Sequence, residues 1–370
     1  MPMAELREVN VVVFGLGQVG RALLSQIVAT RSTIAARTNL YLRVVALADS
    51  DGLLVAPQGL RDEAIREVIQ GKAQGRPLAE YPGAQTKEED QEVIEAVSAF
   101  NERLTIMVDV TAAEGMEAVI REALEQGWGA VLANKRPLAG PWPQARPFFE
   151  TRCLRCEAAV GAGLPVIATL RTLLDSGDRV TAIEGVLSGT VGYIFSQLQL
   201  EVPFSTALRQ AQELGYTEPD PREDLGGVDV ARKLLVLGRI AGWSLELDDL
   251  EVEPLYPSAL ADCPVETFME AIAQEDERFA QRVEAAHKEG RTLRYIAEVD
   301  ERGGRVGLRA VPQASPLGTL QGPENLVSFF TSRYAVSPLT IVGKGAGGEV
   351  TAAGVLSDII SLALEMEGCR

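Results

Sequence analysis

The apolar run Val9–Phe14 passes directly into Gly15-Leu16-Gly17-Gln18-Val19-Gly20, and from there into a segment with helical spacing. No other stretch restricts the fold as strongly. A buried strand has to end in a tight turn, and a helix has to begin inside that same turn. Each glycine in the pattern serves a distinct physical need. The first makes the turn, and the second lets a pyrophosphate approach the backbone. The third lets helix and strand pack closely, while the free N–H groups of the helix start attract phosphate oxygens. The strand-turn-helix context predicts a dinucleotide site built from Gly15, Leu16, Gly17, Gln18, Val19 and Gly20.

A second apolar run, Leu42–Ala48, ends at Asp49. An acid at that place can accept hydrogen bonds from ribose hydroxyls. The polar stretch TRSTIAARTN, as a loop or a helix extension, explains why Asp49 lies farther from the glycines than usual. Asp49 and Asp51 repel a 2′-phosphate, and no arginine or lysine stands between Asp49 and Leu60, which favours NAD over NADP. Residues 55–100 read as a polar, helix-rich excursion about a turn at Pro82-Gly83. The run Leu104–Val110 then stops at Thr111, the helix GMEAVIREALEQG follows, and Ala130–Ala133 ends in Asn134-Lys135. Strands alternating with helices predict an α/β, Rossmann-type, doubly wound parallel sheet, in which ligands bind beyond the carboxyl ends of strands. Thr111 and Lys135 fall at such ends.

Composition narrows the chemistry. A net charge of −17 argues against nucleic acid or an anionic membrane as partner. No apolar run reaches the roughly 20 residues that span a bilayer, and the amino terminus lacks a signal-peptide layout. Four cysteines in 370 residues do not make a disulfide framework, so a reducing cytoplasm is expected. Cys153 and Cys156 form a CxxC without a second pair to complete a zinc site. With His287 the only histidine, and on a polar amphipathic segment, acid-base work falls to Lys, Asp, Glu or Tyr.

After Pro147 the pattern changes. A glycine-rich turn, Gly161-Ala162-Gly163, is followed by a strand at Val180–Leu187, the turn Ser188-Gly189-Thr190 and a helix. The runs 294–299 and 305–311 read as an antiparallel hairpin joined through Arg302-Gly303-Gly304, in a sheet suited to oligomerisation. Between these lies Gly215–Lys233, an acidic turn that runs into a helix. Asp229 and Lys233 are four residues apart and so share a helix face. A last glycine turn, 343–348, feeds a long apolar helix that is expected to return to the cofactor crevice. The expected domains are residues 1–150 with 341–370 for the dinucleotide, and an α+β, largely antiparallel domain, 151–340, for substrate and dimerisation.

These motifs together resemble homoserine dehydrogenase. The likeness runs over nearly the whole chain: GLGQVG, ANKRPLA at 133–139, EAAVGAGLP at 157–165, LSGT at 187–190, LGYTEPDPREDLGGVDVARK at 214–233 and GKGAGGEVTAAGV at 343–355. It implies interconversion of L-aspartate 4-semialdehyde and L-homoserine with NAD or NADP, in threonine, methionine and isoleucine biosynthesis, by a cytoplasmic homodimer. It also implies cofactor contacts at Leu16, Gly17, Gln18, Val19, Thr111, Lys135 and Gly347. Substrate contacts fall on Glu218 and Asp229, with Asp224 and Thr190 nearby, and Lys233 is the implied proton donor. A sodium-type cation site is implied at Glu157, Val160, Ala162 and Leu164; hard cations do take carbonyl oxygens. The likeness is to a short form, without the carboxyl-terminal ACT domain or a fused aspartate kinase.

In the chemistry so implied, hydride reaches an aldehyde carbon and the resulting alkoxide takes a proton. A lysine ammonium can stabilise that charge and donate. Lys233 with Asp229 as its orienting partner fits the proton role and Lys135 the holding of substrate and cofactor, although these roles can be exchanged. Two other readings remain at this stage: a related semialdehyde dehydrogenase, which requires a nucleophilic cysteine, and a non-catalytic nucleotide sensor.

Overall fold

The computed structural model describes residues 6–100 and 103–366, which form two compact units. One comprises the described residues up to Gly163 together with those from Gly347 onward; the other is Leu164–Ala346. These limits lie on the carboxyl side of the expected 150/151 and 340/341.

The first unit is built on a seven-stranded sheet: β1 (Arg7–Phe14), β2 (Leu40–Ala48), β3 (Leu53–Val55), β4 (Ala84–Gln85), β5 (Thr105–Asp109), β6 (Gly129–Leu132) and β7 (Leu154–Arg155), ordered β4-β3-β2-β1-β5-β6-β7. β1 pairs parallel to β2 on one side and to β5 on the other, so the chain reverses its direction of travel there. The strands β1, β2 and β5 are apolar without alternation because helices cover both faces, and nearly every residue in them is buried. The excursion 55–100 carries the expected helices, Asp62–Ala73 and Gln91–Ser98, and in addition β4, which with β3 just before it extends the sheet as short antiparallel edge strands. They fall below the length at which alternation can be read.

The stretch TRSTIAARTN is helix: Gln18–Thr38 runs unbroken and stops where Asn39 adopts a left-handed conformation, φ 59°, its N–H bonded to the Ala35 carbonyl. The terminal helix Gly348–Glu365 rejoins this unit and packs on Gln18–Thr38. Gly129 gives it room: a Cβ there would stand 2.7 Å from Leu362 Cδ2. Val9, Val11, Leu23, Ile27, Val44, Ile106, Val355 and Ile359 form one continuous core, and each such side chain contributes roughly 1.5–3 kcal/mol on burial.

The second unit holds a six-stranded sheet ordered β13-β12-β8-β10-β11-β9, from β8 (Val180–Val186), β9 (Leu250–Val252), β10 (Arg291–Asp300), β11 (Gly303–Pro312), β12 (Glu324–Thr331) and β13 (Leu339–Lys344). All pairs are antiparallel except β9 with β11. The β10–β11 hairpin pairs Asp300 with Gly303, so its turn is Glu301-Arg302. Gly303 and Gly304 therefore belong to the strand rather than to the turn. At Gly304 a Cβ would meet the Glu298 carbonyl at 2.5 Å, which is why a glycine stands inside the ladder.

Candidate active site

The nucleotide end lies at the carboxyl edge of β1. Gly15 has φ +99°, and a Cβ there would press on Val110 and Thr111 at 3.0 Å. A Cβ on Gly20 would meet the Gly15 carbonyl at 2.0 Å, so helix and strand approach as closely as only glycine permits. Around Gly17 there is open space within 4 Å. Gly17 is also the N-cap of Gln18–Thr38 and has no side chain to satisfy the first N–H groups. Open space, a bare helix start and two close approaches fit a pyrophosphate. A cavity of about 520 Å³ lies here, lined by Gly15, Leu16, Gly17, Asp49, Lys72 and Thr111 among others. Val19 is half-buried against the core. Gln18 packs under the start of the last helix, where a Cβ on Gly348 would meet its Cγ at 2.7 Å and where Gly347 is the N-cap.

Asp49 is more heavily engaged than its position suggested. Its Oδ1 accepts from the N–H groups of Asp51 and Gly52 at 2.9 and 3.0 Å, and its Oδ2 lies 2.6 Å from Lys72 Nζ. Asp51 is 4.0 Å from the same ammonium. Lys72 comes from the helix Asp62–Ala73, beyond the cation-free window 49–60, so that window did not exclude a cation beside Asp49.

The loops after β5 and β6 carry Thr111 and Lys135. Asp109, the last residue of β5, is fully buried. It accepts from Thr111 N at 2.9 Å, from Thr111 Oγ1 at 2.7 Å and from Asn134 Nδ2 at 3.0 Å. Burial pushes its carboxyl up to about 6, against the three donors that favour the ion; Asp90 pushes the same way as burial. Lys135 caps the short helix Arg136–Ala139. Neither Asp109 nor Asn134 stood out from sequence, although a carboxylate inside the apolar run TIMVDV was a signal.

The second unit gathers the remaining residues. Ser188 caps the helix Gly189–Leu198, its Oγ accepting from Val191 N at 3.2 Å. On the first turn, the buried Thr190 hydroxyl lies 2.5 Å from the Tyr216 carbonyl and 2.9 Å from Asp224 Oδ1. Asp224 Oδ2 accepts from the Glu218 N–H at 2.8 Å. Both oxygens of Asp224 thus hold the turn that presents the exposed Glu218. Burial raises the Asp224 carboxyl above its usual range, opposed by the Glu218 N–H and the Thr190 hydroxyl. Pro221 opens the short helix Pro221–Leu225, and Asp220 caps it by accepting from Arg222 N at 3.0 Å.

The helix Val228–Ile240 begins after Gly227, whose φ is +74° and where a Cβ would stand 2.1 Å from Tyr295 Oη. Val230, Ala231 and every residue from Leu234 to Arg239 are buried; Asp229 and Lys233 lie outside this set. Lys233 Nζ is 2.8 Å from Asp229 Oδ2 and donates to the Leu187 carbonyl at 2.9 Å. A half-buried ammonium is therefore held by a carboxylate one helical turn away and by the end of β8. His287 is exposed, and Cys153, Cys156 and Cys263 are free thiols.

Of the implied cation ligands, Glu157, Val160 and Ala162 lie in one buried loop of the first unit, and Leu164 opens the second. Gly161 and Ala162 take successive positive φ values, 80° and 57°. Glu157 N donates to Asp358 Oδ2 at 2.7 Å. No cluster of three or more His, Cys, Asp or Glu side chains suited to a metal occurs among the described residues.

Comparison with known proteins agrees in both units. Residues 165–360 match the model for homoserine dehydrogenase, and residues 15–146 that for the homoserine dehydrogenase NAD binding domain. A homoserine dehydrogenase of Emericella nidulans is 35% identical over 95% of this chain and 97% of its own length. The chloroplastic bifunctional aspartokinase/homoserine dehydrogenase 2 of Zea mays is 36% identical over 95% of this chain but only 38% of its own length. The chain thus spans under half of such bifunctional relatives. The crystal structure of a putative homoserine dehydrogenase from Archaeoglobus fulgidus superposes with a TM-score of 0.76 at 28% identity, covering 96% of this chain and 99% of that one. By sequence and fold, the chain belongs to the homoserine dehydrogenase family.

Proposed function

We propose that this chain interconverts L-aspartate 4-semialdehyde and L-homoserine, with Lys233 handling the proton. The observation that carries the reading is the Lys233 ammonium, fixed 2.8 Å from Asp229 Oδ2 and 2.9 Å from the Leu187 carbonyl. A nicotinamide cofactor, held by the Gly15–Gly20 turn, Thr111 and Gly347, supplies or accepts the hydride. Lys233 stabilises the alkoxide and donates to its oxygen, and in the reverse direction takes the proton back. Asp229 orients Lys233 and engages the substrate ammonium together with Glu218. Asp224 and Thr190 keep the Glu218 turn in place. Lys135 holds substrate and cofactor.

On the cofactor, Asp49 supports NAD, with its charge offset by Lys72 so that NADP is tolerated. Sodium, a hard cation, is proposed at Glu157, Val160, Ala162 and Leu164, mainly through main-chain oxygens. The support is the pair of successive positive-φ residues Gly161 and Ala162, a geometry that alanine adopts only at a cost. A homodimer through the second unit, including residues 290–311, and a cytoplasmic location complete the reading. Among the described residues no helix is long and apolar enough to cross a membrane.

The test is a spectrophotometric assay of homoserine oxidation with NAD and NADP separately. The expected result is homoserine-dependent formation of reduced cofactor, faster with NAD. Its absence with both cofactors contradicts the reading.

A further inference from the structure

The proposed chemistry uses Thr111 and Lys135 but gives no role to the carboxylate that ties their loops together. We propose that Asp109 is a positioning residue: it fixes the Thr111 loop and the Lys135 loop as one unit at the carboxyl edge of the sheet. This inference rests on the reading of Thr111 and Lys135 as cofactor and substrate residues.

Three donors converge on Asp109: the Thr111 N–H at 2.9 Å, the Thr111 hydroxyl at 2.7 Å and the Asn134 amide at 3.0 Å. Asn134 Nδ2 also reaches the Ala113 carbonyl at 2.9 Å, and Asn134 Oδ1 accepts from Arg136 N at 3.1 Å. The ties run from the loop 111–113, through Asp109 and Asn134, to the first residue of the helix that Lys135 caps. Main-chain bonds repeat the link, with the Ala133 N–H on the Asp109 carbonyl at 2.9 Å.

Only a carboxylate accepts all three donors. An asparagine at 109 would turn an NH2 group towards either Thr111 or Asn134, both of which present donors there. Burial outweighs the donors and raises Asp109 to about 6, so the ion is held there against its desolvation. The carboxylate links two loops bearing functional residues, and its three donors fix where those loops stand. Thr111 and Ala113 both line the cavity at the glycine turn, so a loosened loop reaches the cofactor directly.

The experiment compares Asp109→Asn in the wild-type and Lys135→Ala backgrounds, with Asn134→Ala as a second variant that cuts the same tie from its other end. kcat, thermal midpoint and the affinity for NADH and NADPH by direct fluorescence titration are read for each. In the wild-type background Asp109→Asn and Asn134→Ala are each expected to lower kcat about tenfold to a hundredfold, the scale set by an ångström of misplacement, and to weaken cofactor binding. In Lys135→Ala the added loss is expected to shrink to about threefold or less, because the part of the loss that acts through Lys135 is already gone and only the part through Thr111 remains. Equal losses in both backgrounds overturn the proposal. So does a lowered midpoint with kcat and cofactor affinity within about twofold of wild type. Should Asp109→Asn not fold, Asn134→Ala carries the same two outcomes. If the wild type oxidises no homoserine, the functional reading fails instead, and the titration alone decides Asp109: unchanged cofactor affinity in both variants overturns its role.

Discussion

Lys233 Nζ stands 2.8 Å from Asp229 Oδ2, one turn along the same helix, and 2.9 Å from the Leu187 carbonyl. An exposed pair at this spacing gives a helix a few tenths of a kcal/mol. Here the lysine side chain is only 17% exposed and the strand-end carbonyl adds a second anchor, so one orientation of the ammonium is selected. Asp229→Asn keeps the shape and removes the charge. It should lower kcat by roughly tenfold to a hundredfold, within the range of a positioned acid-base partner, and leave the thermal midpoint nearly unchanged. Steady-state kinetics with homoserine, paired with a melting curve, checks this.

Cofactor choice should turn on Lys72. Its ammonium lies 2.6 Å from Asp49 Oδ2 and offsets the charge that would otherwise repel a 2′-phosphate. Lys72→Ala leaves Asp49 and Asp51 uncompensated. The ratio of kcat/KM for NAD over NADP is expected to rise about tenfold, which corresponds to ~1.4 kcal/mol. Measuring both cofactors in both proteins decides it.

Stability should fall with pH across the range where Asp109 ionises. Its carboxyl is raised from 3.8 to about 6 in the folded chain. The folded state therefore binds the proton more tightly than the unfolded one. The resulting stabilisation is complete below pH ~4 and is lost as pH rises through ~6, amounting to ~3 kcal/mol at 1.36 kcal/mol per unit. Denaturant unfolding at several pH values should show this slope in the wild type relative to Asp109→Asn.

In the second unit a buried arginine holds a loop through its main-chain carbonyls. Arg294 is 1% exposed and donates to the carbonyls of Leu317, Gly318 and Leu320 at 3.0, 2.9 and 2.8 Å. Burial lowers it to about 10. Arg294→Met fills the volume and leaves those carbonyls without their donors, each costing about 1–3 kcal/mol. A loss of at least ~3 kcal/mol in denaturant unfolding is expected. Arg294→Lys should recover little, since an ammonium cannot span the three carbonyls.

The parallel sheet was legible because its strands are buried on both faces and its turns are marked by glycine. Lys233 and Asp229 were legible because their spacing is a local helical fact. Asp49 was half legible: its place at the end of β2 follows from the strand, but Lys72, its partner, arrives from a later helix and no local pattern announces it. β3 and β4 escaped because two or three residues carry no period, and their pairing is set by tertiary contact. The motif places Asp224 as a neighbour of the substrate contacts. Its work on the turn, with Thr190 on one oxygen and the Glu218 N–H on the other, joins residues up to 34 positions apart, beyond any local rule.

The most direct test is homoserine-dependent formation of NADH and NADPH by the wild type and by Lys233→Ala, with cofactor affinity measured in parallel. The wild type should turn over. Lys233→Ala should lose at least ~100-fold in kcat, as expected for a positioned proton donor, while binding cofactor normally. Turnover by Lys233→Ala within a few-fold of wild type, or none by the wild type with either cofactor, would contradict the account.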